Sequence, residues 1–189
     1  LAALGCATPQ TEAVLRVSSA AALPTRSAVE APFFAQEAYQ CGPAALAMAL
    51  GWSGVAATPE ALAAEVFVPG RKGSFAFGLV AAARAHGRVP VPLANLGELL
   101  EELAAGHPVL VLQDLGLRFP GLSRPHFALA VGYDLPARVL LLHSGPTPRR
   151  STALATFERT WQRAGAFAVA VLPPDRLPAV PDARRWLAA

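Results

Sequence analysis

From Cys41 to Leu50 the chain reads Cys-Gly-Pro-Ala-Ala-Leu-Ala-Met-Ala-Leu, an almost unbroken apolar run of strong helix formers. Gly42 and Pro43 suit a first helical turn, where a missing N–H costs nothing, so the run predicts a buried helix that Cys41 opens. Gly51-Trp52-Ser53-Gly54 breaks it. Thr58-Pro59-Glu60 then offers an N-cap, a Pro at N1 and an acidic first turn for a helix to about Val66. After a turn at Pro69–Gly73, Ser74 is expected to cap a helix through His86 that Gly87 stops. Arg88 to Leu93 alternates weakly, as a strand does. Asn95-Leu96-Gly97-Glu98 has capping-box spacing and opens a helix through Ala105.

Downstream the pattern changes. Val109–Leu112, His126–Val131 and Arg138–His143 are apolar runs with strand character, the last two joined by the turn Tyr133–Ala137. A helix carrying Phe157 and Trp161, capped at or just before Thr156, precedes a last buried strand over Ala166–Leu172. Helices first and strands later predict an α+β fold with a largely antiparallel sheet. Thr8–Ala31 is polar and only faintly periodic, which predicts a tether leading to an extended strand that ends at Pro32-Phe33-Phe34. The expected division is 1–31 as tether, 32–173 as one domain, and 174–189 as a linker with the start of a further helix.

The 189 residues are 53% hydrophobic and 15% charged, enough for one sizeable core and unlike a disordered chain. The net charge of +3 is carried by arginine, with Lys72 the only lysine. These arginines are scattered apart from Arg149-Arg150 and Arg184-Arg185, so no stripe for nucleic acid forms and no nucleic-acid partner is expected. No cofactor and no metal are expected either.

Cys41 is the candidate nucleophile. At the start of a buried helix its thiol sits beside unpaired N–H groups and the positive end of the macrodipole, which favour thiolate. The same N–H groups can hold an oxyanion, and Gln36 can add its side-chain NH2 as a second donor. A cysteine in an Ala-rich apolar run is as often a small buried hydrophobe, so the helix alone leaves both readings open. Among the histidines, His86 precedes a glycine helix stop and His107 lies in a Gly-His-Pro turn, both structural settings. His126 opens an apolar strand, where a polar residue needs a partner.

The segment Gln36–Leu50, with Gln shortly before Cys-Gly-Pro, resembles the active-site segment of the papain-like peptidases that process double-glycine leader peptides. Pro125-His126-Phe127-Ala128-Leu129-Ala130-Val131-Gly132-Tyr133-Asp134 is similar to the same family's second motif. The resemblance implies a papain-like fold, in which an N-terminal helical half carrying Cys41 packs on a C-terminal, largely antiparallel sheet carrying His126, and a Cys–His mechanism. Cys41 would attack, Gln36 and the Cys41 N–H would hold the oxyanion, and His126 would move the proton. It also implies a peptide or protein substrate cut after small or Gly residues. Relatives usually carry an Asp after the next strand. Here Leu142-His143-Ser144-Gly145-Pro146 has no carboxylate, and either Ser144 or His143 falls near that position. Asp114 and Asp134 sit where they would cap backbone N–H groups. A weak or inactive peptide-binding module is therefore the alternative function.

Leu4-Gly5-Cys6 resembles the end of a bacterial lipoprotein signal, which implies lipidation of Cys6 and a membrane-surface, envelope location. A lipidated Cys6 leaves Cys41 as a lone thiol. The sequence leaves the oligomeric state open.

Overall fold

A computed structural model describes residues 8–17, 23–36, 40–116 and 122–180. Among them are six α-helices: α1 (Pro9–Val17), α2 (Cys41–Trp52), α3 (Pro59–Val66), α4 (Ala76–Ala85), α5 (Leu96–Ala104) and α6 (Leu154–Arg163). The strands are β1 (Arg26–Ala28), β2 (Val89–Pro92), β3 (Val109–Asp114), β4 (Pro125–Asp134), β5 (Val139–Ser144), β6 (Thr147–Ala153) and β7 (Ala168–Leu172). They form one antiparallel sheet in the order β2-β7-β3-β4-β5-β6, with β1 added against β4.

Strand alternation divides the core between the two faces of this sheet. Val109, Val111, Ala128, Ala130, Ala168 and Ala170 face one cluster, which α1, α5 and α6 close with residues such as Val14, Leu99, Leu103, Phe157 and Trp161. Their neighbours Leu110, Phe127, Leu129, Val131, Val169 and Val171 face the other, which belongs to α2, α3 and α4. The α+β class and the antiparallel sheet agree with the sequence expectation. The helices nevertheless cover both faces, because α5 and α6 lie opposite α2.

Two described parts of the expected tether are folded instead, as α1 and β1. The N–H groups of Gln10 and Thr11, in the first turn of α1, donate to the fully buried Glu158 carboxylate at 3.0 and 2.7 Å. Gln10 Oε1 in turn accepts the Leu96 N–H of α5 at 2.7 Å. The α1 cap thus comes from a residue almost 150 positions away, where no local pattern reveals it. At the other end the N–H groups of Ala179 and Val180 donate to the buried Glu102 of α5, so this stretch is tied to the domain as well. The folded unit therefore extends beyond 32–173 on both sides. Cys6 and the helix expected from Asp182 lie outside the described residues.

The Gly-Tyr-Asp motif acquires a structural meaning in β1. A Cβ at Gly132 would collide with the Ser27 carbonyl oxygen, so glycine lets β1 lie close across β4. Tyr133, buried, donates its hydroxyl to Pro24 O at 3.0 Å, and Asp134 binds Arg26 and the Ala137 N–H. Ser74 does not cap α4. The cap of α4 is Phe75, and Ser74 instead turns inward, where its Oγ is buried without a hydrogen-bond partner.

Candidate active site

Cys41 is the first residue of α2, with Gln40 at the N-cap. Pro43 has no N–H and the Ala44 N–H donates to Gln40 O at 3.1 Å. The two remaining first-turn donors, Cys41 and Gly42, both face the Cys41 sulfur, and the Phe127 N–H reaches it from β4. Gly42 is needed for this approach. A Cβ there would stand 2.6 Å from Ser74 Oγ and 2.8 Å from Ser74 Cβ, pushing the helix start away.

Gln36 docks on the same peptide group of β4. Its Nε2 donates to Phe127 O at 3.2 Å, while its Oε1 accepts the Gly145 N–H at 2.7 Å. Since Gly145 can only donate there and Phe127 O can only accept, the amide has one orientation. The second Nε2 hydrogen remains for another acceptor. The backbone bond from Gln36 N–H to Gly145 O at 3.0 Å fixes this strut between β4 and the β5–β6 turn.

His126 immediately precedes Phe127, so its ring stands one residue from the peptide group that Cys41 and Gln36 share. Its Nε2 lies 2.9 Å from Ser144 Oγ, and Nδ1 has no hydrogen-bond partner among the described residues. Of the two alternatives for the third position, Ser144 is thus the one in contact. His143 turns elsewhere: its Nδ1 accepts the Arg149 N–H at 3.0 Å, and its Nε2 lies 3.4 Å from Ala31 O. An acceptor Nδ1 leaves the proton on Nε2, so His143 is a neutral brace between the β5–β6 hairpin and residues 29–33.

A family model, the Peptidase_C39 like family, matches residues 29–169. The chain belongs to this C39-like peptidase family. No curated protein matches it significantly. Among solved structures, a candidate C39-like peptidase from Bacillus anthracis superposes with TM-score 0.61 at 17% identity, over 80% of this chain and 99% of that one. A double glycine motif protease from an AMS/PCAT transporter, solved with its leader peptide, gives 0.61 at 20% identity over 78% and 94% of the two chains. The peptidase domain of Streptococcus ComA, a bifunctional ABC transporter of a quorum-sensing pathway, gives 0.58 at 18% over 78% and 98%. These likenesses establish a shared fold.

In this C39-like chain the two other histidines and Asp114 have structural partners. His86 Nε2 lies 3.2 Å from the Glu65 carboxylate, and His107 Nδ1 lies 2.6 Å from the buried Glu102. Asp114 accepts the N–H groups of Gly116 and Arg124, the capping role expected of it. No group of three or more metal-ligating side chains occurs among the described residues.

The resting protonation state departs from the sequence expectation. Burial pushes the Cys41 thiol above its ordinary value, outweighing the N–H groups of Phe127, Gly42 and Cys41 that pull it down. Burial, then Arg124 and Arg150, holds His126 down at about 4. Each group therefore rests neutral, and the helix start does not make a standing thiolate. Folding that lowers an imidazole from 6.5 to about 4 leaves the unfolded chain holding more protons in that window. Stability is expected to be intact above about pH 6.5 and to fall by up to ~3 kcal/mol as pH drops to 4. Denaturant titrations across this range should show a slope that His126→Gln flattens; parallel slopes would mean that another group controls acid unfolding.

Proposed function

We propose that the protein is a cysteine peptidase that cleaves a peptide or leader segment after small or Gly residues. The observation that carries this reading is the Phe127 peptide group: its N–H faces the Cys41 sulfur, its C=O holds Gln36, and His126 adjoins it. In the proposed cycle the unbonded Nδ1 of His126 takes the thiol proton as sulfur attacks the substrate carbonyl. The free Nε2 hydrogen of Gln36 and the Cys41 N–H receive the oxyanion. His126 then protonates the leaving amine, and water hydrolyses the thioester. Ion-pair formation in a buried site costs less once substrate has excluded water and both charges attract at short range.

Ser144 would orient His126 rather than charge it. Ser144→Ala is expected to lower kcat only about tenfold, because a neutral hydroxyl gives an imidazolium little electrostatic help. Ser144→Asp should raise the His126 pKa and move the acid limb of the kcat/KM profile to higher pH. An unmoved limb would show that the two side chains do not interact during turnover.

The leader-peptide complex of the AMS/PCAT protease supports a peptide ligand here, since the fold is shared. The missing carboxylate and the depressed His126 favour a second reading, a module that grips such a peptide without cutting it. A peptide aldehyde ending in Gly-Gly separates the two. The peptidase reading expects a reversible hemithioacetal on Cys41, seen by NMR of a peptide carbon-13 labelled at the aldehyde carbon, and cleavage of the matching peptide. Tight peptide binding with neither adduct nor cleavage would establish the binding module instead.

A further inference from the structure

Arg124 and Arg150 flank His126. The Leu115 N–H donates to Arg124 O at 2.9 Å, continuing the β3–β4 ladder, so Arg124 is extended and its side chain shares a face with His126 two residues on. On the other side, β6 pairs with β5 so that Arg150 stands opposite Leu142, two residues before the Ser144 that holds the imidazole. Both side chains are exposed, and neither has an acidic or hydrogen-bonding partner among the described residues.

Their neighbours are used differently. Arg26 binds Asp134, Arg149 binds Glu30, and Arg163 donates to the Asp114 and Gly116 carbonyl oxygens. Two unneutralised guanidiniums beside a base that must become cationic work against the base, and among the described residues no carboxylate is paired with either of them.

We infer that Arg124 and Arg150 form a subsite for a substrate carboxylate on the leaving-group side of the scissile bond. This rests on the peptidase reading for its direction: His126 hands its proton to the leaving amine, so groups flanking the imidazole meet the segment after the cut. An extended chain advances about 3.3 Å per residue, which brings the first three residues of that segment within reach of two arginine side chains. The carboxylate belongs either to an Asp or Glu side chain there or to a nearby free C-terminus. Once bound, it offsets the two cations and eases protonation of His126, so acidic peptides gain in turnover as well as in binding.

The test uses internally quenched peptides with Gly-Gly before the cut and two Glu, two Gln or two Lys after it, all amidated, plus a short Gln peptide with a free C-terminus. The Glu peptide, the free-terminus peptide, or both should exceed the amidated Gln peptide in kcat/KM about three- to tenfold at low salt, with Lys slowest. Which arm shows the gain identifies the source of the carboxylate. In the double variant R124Q/R150Q the ratio should collapse to about one. Equal rates for all peptides in the wild-type protein, or a preference that survives in the double variant, would overturn the inference. Binding of the same labelled peptides to Cys41→Ser protein keeps the two readings apart. Arginine-dependent preference for the carboxylate without any cleavage by the wild type would sink the peptidase and retain the subsite.

Discussion

Replacing Cys41 with Ala or Ser is expected to abolish cleavage, a loss of at least about 10⁴-fold, while the two variants differ in stability. The sulfur is both the proposed nucleophile and the acceptor for the N–H groups of Phe127, Gly42 and Cys41. A serine hydroxyl keeps an acceptor at that point and should leave the fold near wild type. Alanine leaves those donors facing a gap and should cost about 1–3 kcal/mol. Its resting thiol form gives a neutral serine much the same surroundings, which strengthens Cys41→Ser as the inactive control. Kinetics on a quenched peptide and urea melts of both proteins check the pair of expectations. Residual cleavage above about a thousandth of wild type in either variant would place the nucleophile elsewhere.

Gln36→Ala should lower kcat by about 10²- to 10³-fold, the scale for losing one preorganised oxyanion donor. KM should change little, because the free Nε2 hydrogen is used only once the oxyanion exists. The side chain also bridges Gly145 N–H and Phe127 C=O, so truncation leaves two part-buried backbone groups unpaired and should cost about 1 kcal/mol of stability. Gln36→Glu separates the two functions. It keeps an oxygen for the Gly145 N–H but turns the other toward Phe127 C=O, where a donor is required, so activity should fall as far as in the Ala variant. A Gln36→Ala protein that loses stability yet keeps its kcat would reduce this residue to a strut.

The residues of this site were legible to different depths. Cys41, Gln36 and His126 stand in local contexts that announce themselves: a helix start with Gly-Pro, an amide just upstream, a histidine at the head of an apolar strand. Ser144 and His143 are not separable in sequence, because the choice depends on the register of β5, whose pairing with β4 shifts between Ala130 and Gly132 and whose pairing with β6 shifts between Leu142 and Ser144. The Phe127 peptide group was invisible, since a backbone N–H has no residue type. The thiol state is hidden in sequence, because helix-terminal N–H groups are read from local pattern while burial depends on the whole fold. Strand β6, Thr-Pro-Arg-Arg-Ser-Thr-Ala, is exposed along almost its entire length and lacks the apolar alternation that marks a strand. It exists because β5 offers it a free edge. The docked α1 and β1 were missed for the same reason, their partners being Glu158 and β4 rather than their own neighbours.

The attachment of Gln10 and Ala179 to α5 has a consequence for rewiring the chain. Gln10 is fixed at Leu96 and Ala179 at Glu102, six residues apart on one helix, or about 9 Å along its axis. A linker of a few residues could therefore join position 180 to position 8, and new termini opened at the exposed Pro69–Arg71 turn would yield a circular permutant. In such a molecule the helix carrying Cys41 and the strand carrying His126 would still fold as they do now, and sequence order would cease to matter to the proposed chemistry.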